Sequence, residues 1–196
     1  MSIVFVSGFQ RCGSSLMMQM LQAGGCPVFY DPGMGFPAFE TMRQIHQADD
    51  PSWLLPLNGH AVKWLEPRRQ MPAGIPYDIQ VIWMTREHRE QAKSAVKFLS
   101  RVGGLNVPSN AWRGFAKSYG KDEPGAIALW RARGAVLVQR FEDVLGDPGA
   151  CARRVSTFLG QPLCVDRMVA AVVPRDARCL PGLLELELLS RGEART

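Results

Sequence analysis

The stretch Ile3-Val4-Phe5-Val6-Ser7-Gly8-Phe9-Gln10-Arg11-Cys12-Gly13-Ser14-Ser15 decides how the rest of the chain is read. Ile3 to Ser7 is a short apolar, β-branched run, the pattern of a strand buried on both faces. From Ser14 to Ala23 the pattern is helical, and it stops at Gly24-Gly25. Between strand and helix, Gly8 to Ser15 has the spacing of a G-x-x-x-x-G-K-[ST] phosphate loop. Ser14 stands in the lysine's place, and a cation sits inside the loop at Arg11. A strand feeding a glycine turn and a helix start brings successive backbone N–H groups onto one anion. The same turn also serves as a packing device, but the preceding strand, the hydroxyl pair and Arg11 favour the phosphate reading. Gly8, Phe9, Gln10, Arg11, Cys12, Gly13, Ser14 and Ser15 are therefore the candidate anion-binding residues.

Three more apolar runs follow, at His60 to Leu65, Ile79 to Met84 and Ala135 to Gln139. Helical patterns cover Glu87 to Val102, Pro124 to Arg133, Pro148 to Leu159 and Pro181 to Ser190. The alternation predicts an α/β fold, a P-loop-type parallel sheet of four or five strands with helices on both faces. Cys26 to Gly59 and Gly103 to Glu123 carry no regular pattern and suit lids or substrate walls. With no repeat or linker, residues 1–196 read as a single domain.

The end of the Ile79 to Met84 run carries a second signal. A nucleotide triphosphatase places a magnesium-holding aspartate there, whereas this chain continues into Thr85-Arg86. A cation at that point repels a metal and attracts a further anion. The expectation is a phosphate-bearing ligand held without divalent metal, and His46, His60 and His88 stand apart with no ligand cluster.

Composition narrows the classes. The chain has 196 residues, 46% hydrophobic and 21% charged, with 23 Lys plus Arg against 18 Asp plus Glu. These values exclude disorder and fibrous structure, and the basic residues form no stripe of the kind expected for duplex nucleic acid. The five cysteines are scattered without C-x-x-C spacing, and the N-terminus lacks a basic n-region. A reducing, cytoplasmic setting is expected, with no membrane or nucleic-acid partner.

These residues resemble the sulfotransferases that use 3′-phosphoadenosine 5′-phosphosulfate. Val6 through Leu21 is similar to that family's phosphosulfate loop and first helix. Val81-Ile-Trp-Met-Thr-Arg86 followed by Ser94 resembles the arginine and serine that hold the 3′-phosphate, and Arg140-Phe-Glu-Asp-Val-Leu145 resembles a third shared segment. The resemblance implies sulfuryl transfer to a hydroxyl or amine of a small-molecule acceptor, with that nucleotide as donor and no metal. It implies that Arg11 and Lys63 meet the bridging oxygen and phosphosulfate, that Ser14 and Ser15 are the hydroxyl pair, and that Arg86 and Ser94 bind the 3′-phosphate. The acidic residue of glutamate-using members falls, in order, at Glu40, the expected base, with Glu66 and His60 as lesser candidates. A carboxylate in the first turn of a helix would equally account for Glu40.

The chain departs from the animal cytosolic members in having Leu16 in place of a tryptophan and Leu65 in place of a histidine base. Cys12 replaces a small hydroxyl, which the fold tolerates if that side chain faces away from the ligand. Trp64, Trp83, Trp130 and the Met17, Met18, Met20, Leu21 cluster read as core, and Glu142-Asp143 as structural acids. Phe29, Tyr30, Phe36, Phe39 and Trp53 read as an acceptor wall. The competing class is a non-catalytic nucleotide-binding or scaffold protein on a degenerate P-loop fold. A metal-dependent kinase is opposed by the missing loop lysine and strand-end aspartate.

Overall fold

All four apolar runs form strands in the computed structural model, which describes residues 2–29, 51–67, 75, 77–101 and 103–179. They are β1 (Ser2–Gly8), β2 (Ala61–Leu65), β3 (Asp78–Thr85) and β4 (Gly134–Arg140). Every pairing is parallel and the order is β2-β1-β3-β4. Val4 lies opposite Ala61 on one side and Gln80 on the other, so β1 is flanked on both edges.

The helices are α1 (Ser14–Ala23), α2 (His88–Arg101), α3 (Trp112–Arg131), α4 (Phe141–Gly146), α5 (Pro148–Leu159) and α6 (Val165–Ala170). The chain steps from β1 outward to β2 by way of α1, then returns past β1 to β3 and continues through α2 and α3 to β4. Crossovers of one hand that move in opposite directions must lie on opposite faces of the sheet. The side chains record this division. Val4, Val6, Ile82 and Met84 pack with Met17, Met20, Val155 and Met168 beneath α1, α5 and α6. Ile3, Phe5, Val81 and Trp83 pack with Ala92, Tyr119, Ala126 and Trp130 beneath α2 and α3.

The expected core residues are buried. Trp64, Trp83, Trp130, Met17, Met18, Met20 and Leu21 are all inaccessible to solvent. Trp130 Nε1 donates to Ser7 Oγ at 2.9 Å and Trp83 Nε1 to Glu123 Oε1 at 3.0 Å, so both indole N–H groups are satisfied as buried donors must be. Phe29 is half-buried and packs against the α2–α3 side of the core.

Two sequence expectations need correction. Gly103 to Glu123 is not irregular throughout, because α3 begins at Trp112 and runs through Pro124. Gly114, Gly120 and Pro124 argue locally against a helix, yet Tyr119, Ala126 and Trp130 recur at helical spacing on its buried side, and their packing outweighs propensity. Cys26 to Gly59 likewise contains a 3₁₀ helix, Pro51–Leu57. The expected helix Pro181 to Ser190 lies outside the described residues, as do Tyr30, Phe36, Phe39 and Glu40; so does the Trp53 side chain.

Candidate anion site at the carboxyl ends of the strands

In an open parallel sheet, ligands bind outside the carboxyl ends of the strands where the strand order reverses. Here that reversal lies at β1, between β2 and β3, and Gly8, Leu65 and Thr85 mark the three strand ends. The loop from Phe9 to Gly13 therefore emerges at the switch point.

The loop conformation depends on its glycines. Gly8 has φ +150°, and a Cβ there would stand 2.5 Å from the Met84 carbonyl oxygen. Gly13 has φ +99°, and a Cβ would run into the Phe141 ring. Arg11 is left-handed at φ 66° although it is not glycine, a conformation that costs about 1–3 kcal/mol and persists only where neighbours enforce it. Those neighbours are present. Gln91 Nε2 donates to the carbonyls of Phe9 (3.3 Å) and Gln10 (2.9 Å), and Arg86 Nη1 donates to that of Arg11 (3.3 Å).

The side chains proposed from sequence converge on this loop from four elements. Arg11 Nε donates to Ser94 Oγ of α2 at 3.3 Å. Lys63 of β2, only 2% exposed, donates from Nζ to Ser15 Oγ at the start of α1 at 2.9 Å. Arg86, just after β3 and 3% exposed, stacks its guanidinium over Phe141 at 4.5 Å, and Arg175 approaches the same ring at 5.3 Å. Arg86 Nη2 also donates to the Ala177 carbonyl at 2.6 Å, so the segment from Val172 to Cys179 crosses beside it. Arg11 and Lys63 meet hydroxyls and Arg86 holds the loop carbonyl of Arg11, beside a helix start whose first turn carries no acidic side chain. That is an arrangement for polyanions.

Cys12 is fully buried in the α1-side core, where burial pushes its thiol pKa up while hydrogen bonds with Ser14 and the charge of Lys63 pull it down; its N–H donates to the Phe9 carbonyl at 3.3 Å. Glu142 joins α4 to α2 by accepting from the Glu87 N–H at 2.8 Å, a structural role. His60 precedes β2 and bonds Asn58 at the amino end of the sheet, remote from the loop, which removes it as a base. Glu66, by contrast, sits at the end of β2, left-handed at φ 54°, and its Oε1 accepts from Gln10 N–H at 3.4 Å.

Gln91 and Phe141 escaped the sequence reading. Gln91 lies one turn before Ser94 on α2, a spacing that could have flagged it. Phe141 follows the apolar β4 run and carries no sign that two guanidinium groups will stack on it.

No family model matches the chain, and no curated protein matches it. Solved structures do match its fold. Retinol dehydratase in complex with androsterone and the inactive cofactor PAP aligns with a TM-score of 0.56 and 18% identity over 85% of this chain and 62% of that one. The complex of retinol dehydratase with retinol and PAP gives 0.54 at the same identity and coverage. The sulfotransferase domain of the Synechococcus PCC 7002 olefin synthase gives 0.51, 18% identity, and covers 100% of this chain and 94% of that domain. The chain thus has the fold of the sulfotransferases that use 3′-phosphoadenosine 5′-phosphosulfate. It spans about 62% of the length of retinol dehydratase.

Proposed function

We propose that the chain is a sulfotransferase that moves a sulfuryl group from 3′-phosphoadenosine 5′-phosphosulfate to a hydroxyl or amine of a small-molecule acceptor. The observation that carries this reading is the hydrogen-bonded convergence of Arg11 with Ser94, Arg86 with the Arg11 carbonyl, and Lys63 with Ser15 at the ends of three neighbouring strands. In this reading Arg86, whose Nη1 and Nη2 also donate to the Arg11 and Ala177 carbonyls, and Ser94 serve the 3′-phosphate, while Arg11, Lys63, Ser14, Ser15 and the loop N–H groups serve the phosphosulfate.

The acceptor oxygen or nitrogen attacks sulfur in line as the bond from sulfur to the 5′-phosphate oxygen breaks. Arg11 and Lys63 meet the charge that grows on the leaving oxygen, and the burial of Lys63 strengthens its share of the interaction. The acceptor's proton passes to a carboxylate; Glu40 is our proposed base, contributing roughly two to four orders of magnitude.

Titration with adenosine 3′,5′-bisphosphate, with and without magnesium, tests the binding half. A thermal shift independent of magnesium is expected, about 2.7 kcal/mol of stabilisation at a hundredfold excess over Kd. A response to ATP-magnesium alone would sink the reading. Radiolabelled sulfate transfer across phenols, sugars and amines tests the chemistry. The alternative of a binding protein without transfer draws on Leu65 in the place of a histidine base, and tight bisphosphate binding with no transfer to any acceptor would establish it.

A further inference from the structure

Helices α2 and α3 pack against each other over one face of the sheet, tied where His88 Nε2 lies 3.0 Å from Glu123 Oε2. Together they carry eight Lys or Arg against three Asp or Glu, a balance of +5 that equals the net charge of the whole chain. The rest of the protein is therefore neutral overall. Scattered in the sequence, these cations are gathered by helical spacing. On α3, Arg113, Lys117 and Lys121 stand four residues apart, opposite the buried side marked by Tyr119, Ala126 and Trp130, and all three are exposed. On α2, Arg89 and Lys93 share a row opposite the buried Gln91, Ser94 and Ala95. Both rows point away from the sheet on the same side.

Each acid of the two helices is engaged. Glu123 accepts from Trp83 Nε1 at the sheet, Asp122 accepts from Ser118 Oγ, and Glu90 accepts from Lys93 and from the Cys179 N–H. Two apolar residues stand among the cations. Trp112 is half-buried, with Arg89 and Arg113 each 5.3 Å from its ring centre and Lys93 at 5.9 Å. Leu105, in the connection between the helices, is 55% exposed, and its N–H donates to the Leu99 carbonyl, which holds it near the end of α2.

We propose that the outer surface of α2 and α3 docks the chain on an anionic lipid surface. The inference is independent of the transfer reading, and it departs from the sequence expectation of a chain without a membrane partner. Each Lys or Arg brought to an anionic bilayer strengthens binding roughly fivefold, and Leu105 adds apolar contact at the headgroup boundary. The Trp112 ring is faced by three cations rather than open to a stacking nucleobase, and its amphipathic body suits the headgroup layer. On the inner side of α2, Gln91 and Ser94 hold the phosphate loop. One helix thus serves the loop on its inner side and the lipid on its outer side.

The test is co-sedimentation of the full chain with phosphatidylcholine vesicles, with and without about 30% phosphatidylserine, at about 0.1 M and about 0.5 M salt. The chain is expected to pellet with the anionic vesicles at low salt and to be released at high salt. Lys117→Gln with Lys121→Gln should weaken that binding roughly twenty-five-fold. Arg153→Gln with Arg167→Gln removes the same charge from exposed positions on α5 and α6, on the other side of the sheet, and should leave it within about twofold. Leu105→Asn should weaken it several-fold and keep the salt dependence. All five substituted side chains are exposed, so thermal melts are expected to match the parent. Equal pelleting with neutral and anionic vesicles, an equal loss in the two charge pairs, or indifference to Leu105→Asn overturns the proposal. So does a DNA duplex that binds where the anionic vesicles do not, which would make this surface a nucleic-acid interface.

Discussion

Arg86 holds a loop carbonyl, a carbonyl of the crossing segment and an aromatic face at once. Its replacement by Ala should weaken adenosine 3′,5′-bisphosphate by about 1.5–3 kcal/mol, the range for hydrogen bonds to charged groups, and weaken adenosine 5′-phosphosulfate far less, because that ligand lacks the 3′-phosphate. Comparative titration of the two nucleotides checks this, and equal losses would make Arg86 purely structural. Arg11 calls for a different measurement. If it meets charge that develops only in transfer, Arg11→Ala lowers kcat more than it weakens product binding, and Arg11→Lys restores part of the rate by returning charge without the fork. The cysteines make a third prediction. Burial raises the Cys12 thiol and takes Cys26 up to about 11, whereas hydrogen bonds from Arg167 lower Cys164. Iodoacetamide at neutral pH should label Cys164 first and reach Cys12 only on unfolding, as peptide mapping by mass spectrometry would show. Arg11 and Arg86 stood out in the sequence because a cation inside the strand–helix loop or at a strand end carries its chemistry in its identity, whereas Lys63 and Ser94 entered only through the family resemblance. Gln91 and Glu66 were harder to place, since each acts on a backbone group whose position only the folded chain defines.

At the level of elements, α1 and α5 kept their expected bounds because glycine stops mark both; Gly160 closes α5 in the left-handed conformation at φ 63°. The first half of α3 was hidden by residues that usually end helices, and only its packing on β1 and β3 explains it. That packing includes the Trp130 bond to Ser7, where both residues are fully buried. Ser7→Ala would leave an indole N–H without an acceptor, at about 1–3 kcal/mol, and should lower Tm by roughly 2–10 °C in a thermal melt. The start of α2 makes a pH prediction. Burial disfavours the Glu90 carboxylate, but its bond from Lys93 at 2.6 Å and from the Cys179 N–H at 2.8 Å hold its pKa below the ordinary value. A carboxyl depressed in the folded state contributes stability that is complete above its unfolded pKa and disappears as pH falls through the folded one. The Cys179 amide should therefore stay protected from hydrogen exchange at neutral pH and lose protection on acidification below about 4.3. Protection that persists well into the acid range would show that Glu90 does not anchor this segment.

Across the whole molecule, the strands were readable because parallel strands buried on both faces write continuous apolar runs. Their order was not, since nothing in a run names its neighbours. The order places β1 in the interior of the sheet, paired to β2 and β3, and so sets the phosphate loop between Lys63 and Arg86. It also fixes a kinetic character. Among the described residues, no ladder joins strands close in sequence: Val4 meets Ala61, Ser2 meets Asp78, and Ile79 meets Gly134. Each pairing closes a long loop, and the extra entropy grows only by about 0.6 kcal/mol per doubling, so native stability tolerates it. The rate does not, because topologies dominated by distant pairings fold slowly, on the order of milliseconds to seconds. On the ribosome, β1 is synthesised before β2 and β3 and waits for both partners. Until β3 arrives, Ile3-Val4-Phe5-Val6 is an uncovered adhesive edge, and any change that speeds this pairing should raise the yield of folded protein.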